Sequence, residues 1–106
     1  MTEIVVVLTT VADNDDAETL ARQLVEERLA ACANLHPAMV SFHRWKGQLE
    51  REAERQMVIK TTRDRVPALE QRLTQLHSYD LPEFVVLPVD SAGAAYAAWI
   101  AEQLVG

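Results

Sequence analysis

Hydrophobic and polar residues follow one another along this chain in distinct rhythms, and each rhythm predicts a kind of element. Residues 3–10 are β-branched or apolar almost without alternation, the pattern of a central strand buried on both faces. Asp13, Asn14, Asp15 and Asp16 then supply capping side chains and negative charge, which the free N–H groups and dipole of a helix N-terminus favour. Ala17, Leu20, Ala21, Leu24, Val25 and Leu29 recur at helical steps while Glu18, Arg22, Glu26 and Glu27 face water, so a helix is expected to end near residue 31.

Residues 32–36 are short and extended, Pro37 interrupts them, and residues 40–45 resume a strand of mixed faces, giving a bent second strand. Lys46, Gly47 and Gln48 supply a turn, after which residues 49–62 return as the other arm of a long hairpin with a highly charged tip. Residues 50–55 also fit a short solvated helix, but that would leave the β-rich Met57-Val58-Ile59 segment without a turn, and strand is preferred. Asp64 as cap, Pro67 in a first turn, and Val66, Leu69, Leu73 and Leu76 at helical spacing predict a second helix ending at His77 and Ser78. Residues 79–82 form a link, residues 83–89 a last long strand of buried character, and Ser91, Ala92 and Gly93 open a final helix. Tyr96, Trp99, Ile100 and Leu104 are expected to share one face of it.

The predicted order β-α-β-β-α-β plus a C-terminal helix defines an α+β, ferredoxin-like antiparallel sheet with a long hairpin and helices on one face. A chain of 106 residues is expected to form a single domain, residues 1–106. Strands as apolar as residues 4–8 and 84–87 would expose hydrophobic area on the helix-free side of a lone domain, so another subunit is expected to cover it. A long hairpin also leaves unpaired edges that a partner strand can use. These arguments lead to an oligomer and leave two or three subunits open.

Composition narrows the function. Ten basic against 16 acidic residues give a net charge of −6, which argues against a general nucleic-acid binder and makes cations the more natural partners, although acidic balance also serves solubility. The lone cysteine, Cys32, permits no internal disulfide and no Cys/His zinc framework, so a reducing cytoplasm is the expected compartment. No stretch has the basic lead and cleavage site of a signal peptide or the roughly 20 apolar residues of a membrane span. With glycine only at 47, 93 and 106 there is no phosphate-cradling loop, and there is no nucleophile elbow or paired-histidine zinc motif. The chain is therefore expected not to be an enzyme and to require no cofactor.

Thr9-Thr10, Leu29-Ala30-Ala31-Cys32-Ala33-Asn34, residues 41–47, Lys60-Thr61 and His77-Ser78-Tyr79 stand in an order that resembles the CutA family. Pro82-Glu83, Leu87-Pro88-Val89 and Tyr96 with Trp99 extend the resemblance over nearly the whole chain. It implies a ferredoxin-like homotrimer whose hairpins extend the neighbours' sheets, and a role in divalent-cation tolerance, copper especially. The family is similar in fold and assembly to the PII signalling proteins, which implies that a divalent cation or small ligand would bind in clefts between subunits. A PII-like sensor or scaffold, and an enzyme with an intersubunit site using His77 as acid or base, are the alternatives.

Within that resemblance, Thr9 stands where some copper-linked members carry cysteine, and Leu76 where they carry a histidine before the equivalent of His77. His43 replaces the usual tyrosine and Lys46 a common acidic or amide residue. The metal candidates that remain are His77 and Cys32, with Cu²⁺ the ion in question, although a free cysteine more often packs as a small buried hydrophobe. His43 reads first as a solvent-facing strand residue. The candidate intersubunit pocket comprises Trp45, Glu54, Lys60, His77 and Tyr79, which combine aromatic walls, both charges and one imidazole. The structural alternative makes Trp45 and Tyr79 interface anchors and pairs Lys60 with a carboxylate.

Overall fold

The computed structural model describes residues 3–106. β1 (Ile4–Ala12) leads through α1 (Asp16–Glu26) to β2 (Cys32–Trp45), and β3 (Gln48–Thr62) returns beside it. A 3₁₀ turn (Arg63–Arg65) then enters α2 (Val66–Leu76), followed by β4 (Val85–Pro88) and α3 (Ala94–Leu104). The four strands form one sheet in the order β2-β3-β1-β4, and every neighbouring pair is antiparallel. β1 and β2 thus run in the same direction with β3 between them, the split arrangement of the ferredoxin-like fold.

β1 corrects the expectation of burial on both faces, because its residues alternate between buried and half-buried. Val5, Val7, Thr9 and Val11 are sealed in a core with Leu20 and Leu24 of α1 and Leu69 and Leu73 of α2. Ile4, Val6, Leu8 and Thr10 point the other way. Among the described residues, cover on that second face comes from α3 at its Ile4 end, so most of the core lies on one side of an apolar strand. Val58 and Lys60 of β3, and Val85 and Leu87 of β4, share this open face through their register with Leu8 and Val6. Val85 and Leu87 are each 43% exposed, which also corrects the buried character expected of the last strand.

That last strand is four residues long where seven were expected. Its ladder with β1 reaches only from Val5 to Leu8, with one further bond from the Val89 N–H to Ile4 O at 3.3 Å. α1 is shorter as well, stopping at Glu26 although Leu29 keeps helical spacing. Arg28 adopts φ 60°, its N–H bonds Val25 O at 3.0 Å, and the N–H of Leu29 bonds Leu24 O at 3.1 Å. This is a Schellman closure made with arginine in place of the usual glycine. Leu29 folds back against the core, and its carbonyl accepts the Thr61 hydroxyl at 2.8 Å.

Two further expectations change. Asp64 does not cap α2; its carboxylate accepts the Thr62 hydroxyl at 2.5 Å, and the 3₁₀ turn leads into the helix instead. α3 does not join the other helices on one face: Ile100 and Leu104 pack with Ala31 and Ile4, on the side opposite Val5. Tyr96 and Trp99 are separated from that buried pair, stacked on each other with centroids 5.6 Å apart and left exposed. Arg28 donates to Gln103 O at 2.9 Å and Arg65 to Leu104 O, so two cations hold the carbonyl end of α3.

The hairpin matches its sequence signals closely. Lys46 and Gly47 take φ 50° and 79°, the positive values that a two-residue hairpin turn demands, and Trp45 faces Gln48 across it. Pro37 is accommodated by a bulge between Leu35 and Ala38.

Candidate functional site

Along the outer half of the hairpin, Met39, Ser41, His43 and Trp45 of β2 stand opposite Glu54, Glu52, Glu50 and Gln48 of β3 on the open face. The segment after α2 folds back over these side chains and forms the second wall of a groove of about 720 Å³. Its residues include Tyr79, Asp80, Leu81, Pro82 and Glu83, and Thr10 and Gln56 form the inner end.

This segment is pinned by a chain of hydrogen bonds. The N–H of Tyr79 donates to His77 Nδ1 at 3.0 Å, so that nitrogen carries no proton and Nε2 must carry one. Nε2 then donates to Thr10 O at 2.7 Å, in the stretch of β1 that β4 does not reach. His77 is therefore a neutral imidazole with both nitrogens engaged. Its ring lies 4.7 Å from that of Tyr79, and the Tyr79 hydroxyl donates to Glu54 Oε2 at 2.7 Å. Gln56 Nε2 donates to Thr9 O at 2.6 Å and to Glu83 Oε2 at 3.1 Å, tying the far end of the segment to the sheet.

Burial, followed by the hydrogen bond and negative charge of Glu54 and then the charge of Glu52, pushes the Tyr79 phenol well above its ordinary range. Tyr79 is consequently a hydrogen-bond donor at physiological pH and a poor general base. Glu54 is only 5% exposed, and among the described residues no Lys, Arg or His forms an ion pair with it. His43 lines the groove with its side chain 40% exposed and Nε2 4.0 Å from Glu52 Oε1.

Of the residues singled out in the sequence, Trp45, Glu54 and Tyr79 meet in this groove. His77 braces it from behind and lines a smaller cleft of about 240 Å³ against the first turns of α1. Lys60 is absent from both, since six residues of β3 separate it from Glu54, roughly 20 Å of strand. Lys60 instead faces Cys32 on one side and Val6 on the other. Cys32 is half-buried, which corrects the expectation of a buried thiol, and its Sγ lies 3.6 Å from Asn34 Oδ1.

One chain does not bring Cys32 and His77 together. Cys32 lies level with Val6, whereas His77 docks at Thr10, about 13 Å further along β1. Metal–ligand bonds of about 2.0–2.3 Å cannot span that separation. Among the described residues no three His, Cys, Asp or Glu side chains converge on one point. The donor set within one chain thus does not fit a copper ion. The Thr9 side chain is fully buried under the helices and away from the groove.

Sequence reasoning missed His43, Glu52, Gln56 and Glu83 as groove residues. Strand parity was the available signal, because Glu52, Glu54 and Gln56 alternate onto one face. The comparisons with known proteins agree with this architecture. The family described as CutA1 divalent ion tolerance protein matches residues 5–103. A Thermus thermophilus protein named divalent-cation tolerance protein CutA is 42% identical over 97 residues, covering 92% of this chain and 94% of that one. The crystal structure of CutA from Xylella fastidiosa aligns with a TM-score of 0.93 at 38% identity, over 97% of this chain and 99% of that one. A protein of Archaeoglobus fulgidus described as periplasmic divalent cation tolerance protein CutA aligns with a TM-score of 0.91 at 27% identity, over 96% and 99% of the two chains. No helix among the described residues is long and apolar enough to cross a membrane. With the sequence matched from β1 to α3 and the sheet, hairpin and helices matched in space, this chain belongs to the CutA1 divalent ion tolerance family.

Proposed function

We propose that this chain works as a homotrimer in divalent-cation tolerance, copper especially, through binding or signalling in clefts between subunits, in the cytoplasm. The observation that carries the reading is the open face of the sheet. Val6, Leu8 and Val58 lie half-covered there beside the exposed Val85 and Leu87, and Tyr96 and Trp99 lie exposed on α3. Apolar area of this kind is stable in water when another copy covers it. The outer edge of β2 is likewise unpaired among the described residues and suits strand addition by a neighbour. Assembly would place the groove beside a second subunit, and ligands commonly bind at such junctions.

A sensor reading in the manner of PII proteins draws support from the same groove, because its second wall is a loop held to the sheet by side-chain hydrogen bonds. An enzyme reading gains nothing here, since His77 is held in two hydrogen bonds and the Tyr79 phenol is pushed away from neutral pH. Native mass measurement at micromolar concentration tests the assembly: three chains are expected, and a persistent monomer would remove the reading. Growth of cells lacking this chain under Cu²⁺ challenge tests the role, with restored tolerance expected on re-expression.

A further inference from the structure

We infer that the groove of the hairpin is a binding site for a small organic cation carrying a guanidinium group. The inference deepens the proposed role of the clefts by naming a ligand class for one of them, and it holds for the groove of a single chain.

Glu54 is the central observation. It is 5% exposed, lies on the groove wall, and receives one hydrogen bond, from Tyr79 to Oε2. Among the described residues its second oxygen receives none, and no cation neutralises its charge. That second oxygen is not sealed in the interior, so it stands open to a donor entering the groove. Glu52, Asp80 and Glu83 line the same groove, and His43 is its one basic lining residue. The site therefore selects for positive charge.

The shape selects the kind of cation. A groove of about 720 Å³ is far larger than a bare ion needs and lies within the range of small-molecule sites, roughly 300–1,000 Å³. Glu52 and Glu54 stand two residues apart on one strand face, about 7 Å, a spacing that suits the two ends of an extended molecule. Trp45 adds a flat indole wall, and that ring already carries a cation, with Lys46 Nζ 5.8 Å from its centroid. A guanidinium group answers each feature: its planar fork matches a carboxylate bidentately, its face stacks on indole, and it is weakly hydrated.

The test is calorimetric titration of the full-length chain, in its native assembly and at low salt, with agmatine and with butylurea, a neutral mimic of the guanidine end. Agmatine is expected to bind saturably and butylurea not at all. Glu54→Gln, which keeps a hydrogen-bond acceptor for Tyr79, should weaken agmatine at least about tenfold, the loss expected for a charge-assisted contact. Trp45→Leu removes the exposed indole and should also weaken it, and this variant decides the matter if Glu54→Gln does not fold. No saturable heat with agmatine, equal binding of butylurea, or unchanged affinity in the variants would overturn the inference. So would loss of assembly in folded Glu54→Gln, because a basic side chain of a second copy would then be the occupant. A wild-type chain that stays monomeric yet binds agmatine would remove the trimer and leave the groove's ligand class standing.

Discussion

The two faces of the sheet are built from similar side chains and are treated differently. On one, Val5, Val7 and Ile59 are completely covered by α1 and α2; on the other, Val6, Leu8 and Val58 remain half-exposed beside Val85 and Leu87. Hydrophobicity along β1 is nearly uniform, so composition alone does not decide which residues form the core. The connections decide it. Both crossover helices return over the same face, and α3 reaches only the Ile4 end of the other. The covered face holds most of the buried core, while the open face leaves apolar surface and the polar groove accessible.

The largest expected effect comes from setting the faces against each other. Leu73→Ala, under the helices, should cost about 2–5 kcal/mol of stability, whereas Leu87→Ala should cost the isolated chain roughly 1 kcal/mol or less. Chemical denaturation measures both, and similar losses would erase the distinction between the faces. Native mass sharpens it: Leu87→Asp should release monomers, while folded Leu73→Ala should still assemble.

Next comes the polar end of the open face. Tyr79→Phe removes the one hydrogen bond to the buried Glu54 carboxylate and should cost about 1–3 kcal/mol. It should also change the alkaline limb of stability. Because the phenol is held above its unfolded value, its contribution is complete below the ordinary range of about pH 10 and is lost as pH climbs beyond it. Melting temperatures through that window should fall more steeply for the wild type than for Tyr79→Phe, and parallel curves would dismiss the coupling.

A smaller effect tests the covered face for a polar atom out of place. Thr9 is fully buried, and its hydroxyl has no protein hydrogen-bond partner among the described residues. Thr9→Val keeps the shape and should stabilise by about 1 kcal/mol, read as a raised melting temperature. The smallest effect belongs to the rim. The exposed Glu27 and Arg72 pair at 2.8 Å, and the hydrogen bonds from Arg72 hold the Glu27 carboxyl below its ordinary value. Its contribution is present above that ordinary value and lost as pH falls through the lowered one. Glu27→Gln should shift the melting curve least of all these changes, and salt should shrink the difference further.

Much of the fold was legible because strong local signals agreed with the topology. Lys46-Gly47 fixed the hairpin, and Pro67 the start of α2. What escaped was set by contacts distant in sequence. Leu29 fits a helix by spacing, yet the Arg28 turn sends it back to the core. Residues 83 and 84 have strand character, but Gln56 holds Glu83 in the groove wall and β4 begins only at Val85. The site was half legible for a similar reason. Trp45, Glu54 and Tyr79 line one groove within the chain, whereas Lys60 shares their face but lies roughly 20 Å further along β3. Parity can be counted along a strand; which part of that strand a loop from α2 covers cannot.

The bulge at Pro37 acts on the groove as a change of phase. Before it, even-numbered residues of β2, Cys32 and Asn34, share the open face with Lys60 and Val58; after it, odd-numbered residues do, beginning with Met39 opposite Glu54. Had the ladder run in step, Val40, Phe42 and Arg44 would have stood opposite Glu52, Glu50 and Gln48, and Ser41, His43 and Trp45 would have pointed away. One extra residue, placed some eight positions before the indole, thus decides whether Trp45 or Arg44 stands opposite Gln48 on the face that carries the carboxylates of β3.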